Sequence, residues 1–385
     1  MAPRIYFYCV DRSDAYQDDV VVLAEGLRQI GAEVVGNCNY WLRSTAPDDW
    51  LVRSDPTCRP EDCDIVVVSS AWSRWIDDDF KIHERALPEG LFFTGRRYRT
   101  AYVDYDDGYA THSWRPEYAA FDAVFRAKYN QRCFHPANQH PWVLGLNSRM
   151  LQMTADAPAW PERKRELLVN FGASHPYAHS ARTKAGPPFI AASRDHYELN
   201  DQRDDLSVPP TDPYDLLMWR QTQRRHSRSY YERLKSAQAI AAFCGELIPA
   251  SPHYPRYLVG GRRAKFSRAL HETLALIDPR PPRLIQWDSW RFWEGLAAGC
   301  LVFNLDLPHY GVQLPVMPRH LVHYVAVRPE SAAETFTALT REPGLAERIA
   351  SQGHAWALEH YSPAALARRF LATVLGGATH GPGAA

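Results

Sequence analysis

Carboxylates and a histidine follow predicted β-strands in the first half of the chain, where they could move protons in a reaction. The strand predicted at 4–10 leads into an acidic loop, and the strand predicted at 100–104 ends in the acidic sequence YDDG. Carboxylates at the ends of parallel strands face the crevice in which such sheets bind ligands. The candidates for acid and base chemistry are Asp11, Asp14, Asp104, Asp106, Asp107 and His112. The alternative is that the aspartates only cap helices and turns.

The segment 291–310, RFWEGLAAGCLVFNLDLPHY, has the residue types of a phosphate-binding helix. It predicts an amphipathic helix with Glu294 on its first turn, small residues at 297–299 and a buried strand at 300–304. A helix N-terminus favours phosphate, and Glu294 could accept hydrogen bonds from a ribose. The segment therefore predicts a nucleotide-sugar site. The alternative for Glu294 is a carboxylate that only the helix dipole stabilises.

Two further stretches in the second half could contact phosphate. The loop GASHPYAHSARTK begins at Gly172 and precedes a helix that the prolines at 187–188 should cut short. Its basic side chains are His175, His179, Arg182 and Lys184. The sequence GGRRAKF supplies Arg262 and Lys265. Either stretch could wrap a phosphate, although most such charge clusters are solvated surface.

The order of the predicted elements places these residues in an α/β fold. A strand at 4–10, a helix through 21–30 and a strand at 33–35 form a β-α-β opening, which is typical of a doubly wound parallel sheet. The run DIVVV at 64–68 suits a strand that is buried on both faces. Because the first strand-to-helix turn lacks glycine, a nicotinamide or flavin dehydrogenase is disfavoured.

A second α/β unit follows the first. The proline-containing stretch at 134–165 is interpreted as the domain crossing, and the strand predicted at 167–171 opens the second domain. The charged stretch at 194–228 is interpreted as a lid or a surface insertion. The C-terminal part, 352–374, is predicted to be helical with a break at Ser362-Pro363.

Composition sets limits on the partners of the chain. Its 385 residues carry 44 basic and 44 acidic side chains, a balance that calls for neither nucleic acid nor an anionic membrane. The 12 Trp and 20 Tyr are numerous enough to line a sugar cleft, or they are simply core. The seven cysteines include no CxxC pair, and we find neither a signal peptide nor a run of apolar residues long enough to span a bilayer. We therefore expect a cytoplasmic protein.

Four stretches together resemble a known family. SWRFWEGLAAGCLVFNLDLPHYGVQLPV and HAWALEHYSP resemble the donor-binding domain of GT-B glycosyltransferases, most closely the CgeB-like (spore-protein-like) and exostosin-like group. LAEGLRQIGAEVVGNCNYW and the AYVDYDDG segment followed by FDAVFRAKYN are similar to the N-terminal domain of that group. The resemblance touches both halves and leaves 190–228 outside.

The resemblance implies two Rossmann-like doubly wound domains that face each other across a cleft. The acceptor-binding domain would span 1–150 and the donor-binding domain 151–355. A helical segment at 356–375 would cross back to the first domain, and 376–385 would be a disordered tail.

The resemblance also assigns roles to residues. Glu294 would bind the ribose, and the leaving diphosphate would be stabilised without a metal by Arg291, Arg262, Lys265 and the loop that holds Gly172 and His175. Some GT-B families have a Glu-x7-Glu pair, but the earlier position here is Gln286. This departure from the pattern weakens the expectation that the chain shares the retaining chemistry of those families. Asp104-Tyr105-Asp106 could instead be compared with the metal-binding Asp-x-Asp of GT-A enzymes. In an inverting reaction, the general base would be one of Asp14, Asp104, Asp106 and His112.

The expected function is that of a glycosyltransferase of the hexosyltransferase type. It would transfer a sugar from an NDP-sugar, with UDP as the favoured nucleotide, to a small-molecule or carrier-bound acceptor in bacterial natural-product biosynthesis. The donor would be a co-substrate, and no cofactor would be needed. Two alternatives stay open: a non-catalytic protein that binds nucleotide sugars or glycans, and a GT-B-like sugar-nucleotide epimerase.

Overall fold

The computed structural model describes residues 2–10, 18–76, 82–106, 113, 115–172, 180–250, 270, 273–274, 277–278 and 280–376. Within them, two separate parallel sheets form the framework, each with helices packed on it. The elements are numbered in chain order among these residues.

The first sheet is built from the first 142 residues and has the strand order β10-β9-β8-β5-β1-β2-β4-β3. All its pairings are parallel except that of β3 with β4. Runs such as IVVVS form strands that are buried along their whole length, as the centre of a doubly covered sheet requires. The strands are β1 Arg4–Tyr8, β2 Glu33–Gly36, β3 Tyr40–Leu42, β4 Trp50–Ser54, β5 Ile65–Ser69, β8 Arg99–Asp104, β9 Ala123–Ala127 and β10 Gln139–Trp142, with β6 Arg74–Ile76 and β7 Ile82–Glu84 as a separate hairpin.

The second sheet has the order β12-β11-β13-β16-β17, and all its pairings are parallel. Its strands are β11 Lys164–Leu168, β12 Glu198–Asn200, β13 Ala237–Ala241, β16 Leu301–Leu305 and β17 Val325–Val327. β14 Glu246–Ile248 and β15 Arg283–Ile285 form a separate antiparallel pair. The α/β class with two doubly wound units is therefore confirmed.

Ten α-helices are described. They are α1 Asp18–Gln29, α2 Ser70–Ser73, α3 Ser148–Thr154, α4 Ser180–Ser193, α5 Pro213–Gln221, α6 Arg228–Ser236, α7 Trp290–Ala297, α8 Ala332–Arg341, α9 Leu345–Tyr361 and α10 Pro363–Gly376.

The last described helix packs on the first sheet. Helix α10 lies against α1 so closely that a Cβ on Gly26 would come within 1.8 Å of the Pro363 carbonyl oxygen. The ring of Phe370 lies 4.9 Å from that of Phe125 on β9. Ser362 interrupts the helix between α9 and α10, as the Ser-Pro pair predicts.

The two prolines do not cut α4 short, and that prediction is wrong. Pro187 and Pro188 lie inside a continuous helix of 14 residues. Phe189, the next residue, is fully buried, and its ring lies 4.9 Å from that of Phe243 and 5.0 Å from that of Phe303. Burial of such a ring contributes about 2–3 kcal/mol, which is comparable with the ~3 kcal/mol that one proline costs inside a helix. Tertiary packing thus offsets much of the local penalty.

Two other segments are more ordered than their composition predicts. Within 194–228, β12 forms the edge of the second sheet, and Met218 of α5 is buried, so this stretch is not only a lid or a surface insertion. Within 134–165, β10 belongs to the first sheet and α3 follows it, so this stretch is not a continuous linker. In both, long-range packing compensates for weak periodicity.

Candidate functional site

Helix α7 supplies the residues that the sequence singles out for donor binding. It begins at Trp290 after Ser289 and ends at Ala297, and it is followed by Ala298 and by Gly299, whose φ of 66° favours a residue without a Cβ. Phe292, Trp293 and the other apolar side chains of the helix face the core. Glu294 is the fifth helical residue, so its predicted place on the first turn is wrong, and the first turn has no acidic side chain.

The carboxylate of Glu294 is buried against α6. The hydroxyl of Tyr230 donates to its Oε2 at 2.9 Å, and the hydroxyl of Tyr231 donates to its Oε1 at 2.8 Å. Only 5% of the residue is exposed. Burial and the charge of Glu294 raise the pKa of Tyr230, so this tyrosine stays a hydrogen-bond donor at neutral pH. Each oxygen keeps further acceptor capacity, which a ribose hydroxyl would have to use.

Three arginines surround the loop at the carboxyl end of β11. Arg291 Nε donates to the carbonyl oxygen of Asn170, and Arg203 Nη2 donates to that of Phe171 at 2.8 Å. Arg182 Nη1 donates to the next carbonyl oxygen, that of Gly172, at 2.9 Å. The guanidinium groups of Arg182, Arg203 and Arg291, named here the arginine cluster, thus hold three consecutive peptide groups.

The arginine cluster concentrates positive charge for which the described part of the chain supplies no matching carboxylate. Among the described residues, none of its three members forms a salt bridge. Burial lowers the pKa of Arg182, and the charges of Arg291 and Arg203 lower it further. Arg182 is buried, Arg291 half-buried and Arg203 exposed, so the cluster extends from the interior to the surface. Such an arrangement favours an anion, and Arg side chains bind phosphate oxygens in bidentate geometry.

The acidic residues after β8 have different environments. Asp104 is fully buried: its Oδ1 accepts a hydrogen bond from Arg126 Nη1 at 2.8 Å, and its Oδ2 accepts one from the hydroxyl of Ser113. Arg126 and Ser113 thus occupy both oxygens of this carboxylate, and its role as a general base stays a prediction. Asp106 is 8% exposed, and its backbone carbonyl holds the same arginine at 2.8 Å. Of the two, Asp106 is the stronger candidate.

A buried carboxylate joins the two sheets beside α7. Asp288 Oδ2 accepts from the backbone N–H of Leu144 at 2.6 Å and from the hydroxyl of Tyr105 at 3.0 Å, both on the side of the first sheet. Asp288 Oδ1 accepts from Trp293 Nε1 at 2.6 Å. Burial raises the pKa of Asp288 to about 6, because these three donors offset only part of the lost hydration.

A second bridge between the sheets lies at Asn130, three residues after β9. Its Nδ2 donates to the carbonyl oxygens of Leu284 at 3.0 Å and Tyr310 at 2.8 Å. The Asn130 and Asp288 bridges place the carboxyl ends of β8 and β9 next to the start of α7. The carboxyl ends of the two sheets therefore face each other, with the acidic side chains on the first sheet and the arginine cluster on the second.

The structure brings together some of the predicted site residues. Gly172 and Arg291 meet in the arginine cluster, and Glu294 lies one helical turn from Arg291. Asp104 is the last residue of β8 in the first sheet, and Asp106 lies two residues beyond it. The other candidates lie outside the described residues: Asp11, Asp14, Asp107, His112, His175, Arg262 and Lys265. Their roles stay predictions.

Sequence reasoning missed Arg203 and Asp288. Arg182 belongs to the stretch GASHPYAHSARTK that the sequence predicts to contact phosphate, and it lies in the arginine cluster. Arg203 lies in the segment interpreted as an insertion, and Asp288 lies just before the predicted helix. The pairing of Glu294 with tyrosines more than 60 residues away had no local signal.

Among known proteins, only solved structures match this chain. No family model and no curated protein matches the chain. The crystal structure of AviGT4, a glycosyltransferase involved in avilamycin A biosynthesis, matches 98% of this chain and 99% of its own at 14% identity, with a TM-score of 0.50. The chain has the GT-B fold.

Two further solved structures are similar at lower TM-scores. A glycosyltransferase from Rickettsia africae ESF-5 has a TM-score of 0.48 and 11% identity over 99% of this chain and 100% of its own. An alpha-glucosyltransferase in complex with UDP and a 13-mer DNA that contains a central A:G mismatch has a TM-score of 0.49 and 8% identity over 97% of this chain and 99% of its own.

Crossing a membrane and binding a metal ion each require a particular arrangement of residues. Within the described ranges, no helix combines the length and apolar character that crossing a bilayer requires. Among the same residues, no three or more His, Cys, Asp or Glu side chains are grouped so that they could hold a metal ion.

Proposed function

We propose that this GT-B protein is a glycosyltransferase that transfers a sugar from a UDP-sugar to a small-molecule or carrier-bound acceptor. The observation that carries the proposal is the arginine cluster, which concentrates three guanidinium groups at the carboxyl end of β11 without a carboxylate partner in the described chain. Open α/β sheets bind ligands outside the carboxyl ends of their strands. A nucleoside diphosphate supplies the negative charge that this cluster lacks.

The chemistry requires stabilisation of the leaving group. The bond between the anomeric carbon and the diphosphate oxygen breaks, an acceptor oxygen forms the new bond to that carbon, and the acceptor proton goes to a base. Arg182, Arg203 and Arg291 would stabilise the negative charge that develops on the diphosphate, so no cofactor or metal is included in the proposal. Glu294 would accept a hydrogen bond from the ribose while Tyr230 and Tyr231 fix its orientation.

The base is proposed to come from the first sheet. Asp106 is the described candidate, and Asp14 and His112 are the candidates outside the described residues. Membership in the CgeB-like or exostosin-like group and the division at residue 150 are parts of the same proposal. The proposal includes a role in bacterial natural-product biosynthesis. The chain is rich in Ala and Arg, which suits a high-GC bacterium, and AviGT4, whose structure is similar, is involved in avilamycin A biosynthesis.

Titration of UDP against the wild type and single-arginine variants by calorimetry tests the donor site. Arg203→Ala and Arg291→Ala should each weaken UDP binding by about 10- to 100-fold, which is the loss of one charge-assisted contact. Arg165→Ala is the matched control, because Arg165 is an exposed arginine that also donates to a backbone carbonyl, that of His196 at 2.7 Å, away from the cluster. Equal losses in all three variants, or no UDP binding, would contradict the proposed site.

Turnover separates glycosyl transfer from the two alternatives. The wild type is incubated with a panel of UDP- and TDP-sugars, with and without candidate acceptors, and released nucleotide and sugar products are separated chromatographically. Glycosyl transfer or slow donor hydrolysis supports the proposal. Saturable UDP binding without any turnover would identify a binding protein, and release of an epimerised free sugar would identify an epimerase.

A further inference from the structure

A cavity of about 470 Å³ opens at the end of the second sheet that lies opposite the arginine cluster. Arg163, directly before β11, and Gly299, shortly before β16, both line it. The arginine cluster lies where β11 ends, so the length of the sheet separates the two places. The volume is within the range of small-molecule sites, roughly 300–1,000 Å³.

One wall of the cavity is a polar row on α9. Glu347, Ser351 and His354 follow one another at intervals of four and three residues, so they share one face of the helix. The Nδ1 atom of His354 lies 2.9 Å from the carbonyl oxygen of Leu296, which can only accept a hydrogen bond. Nδ1 is therefore the protonated nitrogen of the neutral ring, and Nε2 is left as an acceptor.

Arg163, which also lines the cavity, is held in a fixed orientation. Its Nε donates to the carbonyl oxygen of Pro158 at 2.9 Å, and its Nη1 donates to that of Gly299 at 3.0 Å. Within the described part of the chain, Nη2 makes no hydrogen bond. A guanidinium group held in this way offers a donor to a ligand with little further loss of side-chain entropy.

Apolar side chains also line the cavity. Trp160 and Leu151 are both half-buried. Leu358, one turn beyond His354 on α9, is 36% exposed. The cavity therefore combines an aromatic ring and aliphatic side chains with a row of hydrogen-bonding groups.

We infer that this cavity binds a neutral sugar ring, as a carbohydrate site separate from the donor site. Sugar rings present an apolar C–H face, which packs on aromatic rings, and a rim of hydroxyl groups, which donate to carboxylates and imidazoles and accept from arginine. Arg163 and Glu347 contribute opposite charges, so the site has no net charge to attract a nucleotide or a phosphate. The inference does not depend on the glycosyltransferase proposal.

Saturation-transfer NMR with glucose, galactose, mannose, N-acetylglucosamine, maltose and cellobiose tests the site. Each sugar is titrated onto the full chain in the presence of excess UDP, so that the donor site contributes nothing to the signal. At least one sugar should bind with a Kd of about 0.1–10 mM, the affinity typical of a few hydrogen bonds and one stacked ring. The absence of binding by all six sugars, or displacement of the sugar by UDP, would refute the inference.

Two variants assign the binding to this cavity. Trp160→Ala and Glu347→Ala should each weaken sugar binding by at least about tenfold, and Arg203→Ala should leave it unchanged. Glu347 is exposed on α9, so its replacement preserves the fold even if the loss of Trp160 does not. Unchanged binding in Glu347→Ala would place the sugar elsewhere. Tighter binding of glucose 6-phosphate than of glucose would contradict a site for neutral ligands.

Discussion

Replacement of Asp288 by asparagine should change how the stability of the protein depends on pH. Asp288 ordinarily has a pKa of 3.8, and burial raises it to about 6 in the folded protein. Between these two values the unfolded chain has lost a proton that the folded protein keeps. As pH rises through this window, ionisation therefore favours unfolding, and the cost is fully present above about pH 6.

The difference between 3.8 and about 6 corresponds to about 3 kcal/mol of folding free energy. About 2 kcal/mol of this falls between about pH 4.5 and pH 7.5, where most proteins can be measured reversibly. The amide of the Asp288→Asn variant carries no charge at any pH, so the variant lacks this contribution. Its nitrogen would face one of the three donors, and that lost hydrogen bond lowers stability by a constant ~1–3 kcal/mol at every pH.

Urea unfolding of the wild type and Asp288→Asn across this pH range measures the effect. The free energy of unfolding of the variant, minus that of the wild type, should rise by about 2 kcal/mol from the acidic to the neutral end. Taking the difference cancels the titration of all other groups. Asp48→Asn, which replaces an exposed carboxylate, should run parallel to the wild type. Parallel curves for Asp288→Asn would refute the account of this residue.

Three further substitutions and one matched control test packing, donor binding and catalysis. Gly26→Ala should lower the free energy of unfolding in urea by at least about 2 kcal/mol, because its Cβ would lie 1.8 Å from the Pro363 carbonyl oxygen. Gly186→Ala is the control: the nearest atom to its Cβ would be 3.9 Å away, so this variant should be neutral or stabilising by up to about 1 kcal/mol. Glu294→Ala should raise the donor KM by at least about tenfold, and an unchanged KM would remove Glu294 from the donor site. Asp106→Asn should lower kcat by about 100-fold or more at constant donor KM, and a wild-type kcat would exclude Asp106 as the base.

Local sequence patterns predict the elements of this fold better than they predict its site. The β-α-β opening and the step from α7 through Gly299 to β16 can be predicted because apolar periodicity and a glycine with positive φ act over a few residues. The length of α4 cannot be predicted in this way, because the burial of Phe189 among distant rings competes with the two prolines.

The partners of the charged residues could not be predicted from the sequence. The residue type and position of Glu294 in its helix predict a place in the nucleotide-sugar site. The hydroxyl groups that donate to its carboxylate come from α6, more than 60 residues earlier. Asp104 and Asp106 look alike in sequence, and only the tertiary placement of Arg126 and Ser113 distinguishes them. Electrostatic environment depends on burial and on contacts between distant segments, which a single chain does not encode in its periodicity.

The packing of α10 on α1 has a consequence for the synthesis of the chain. The strands of the first sheet are made before residue 143, but the helix that covers α1 is made only after the whole second sheet. During translation, the apolar face of α1 is therefore exposed to solvent or to chaperones until α10 leaves the ribosome. A fragment that ends after the first sheet would keep that face uncovered, and we expect it to aggregate unless the α10 segment is supplied in trans.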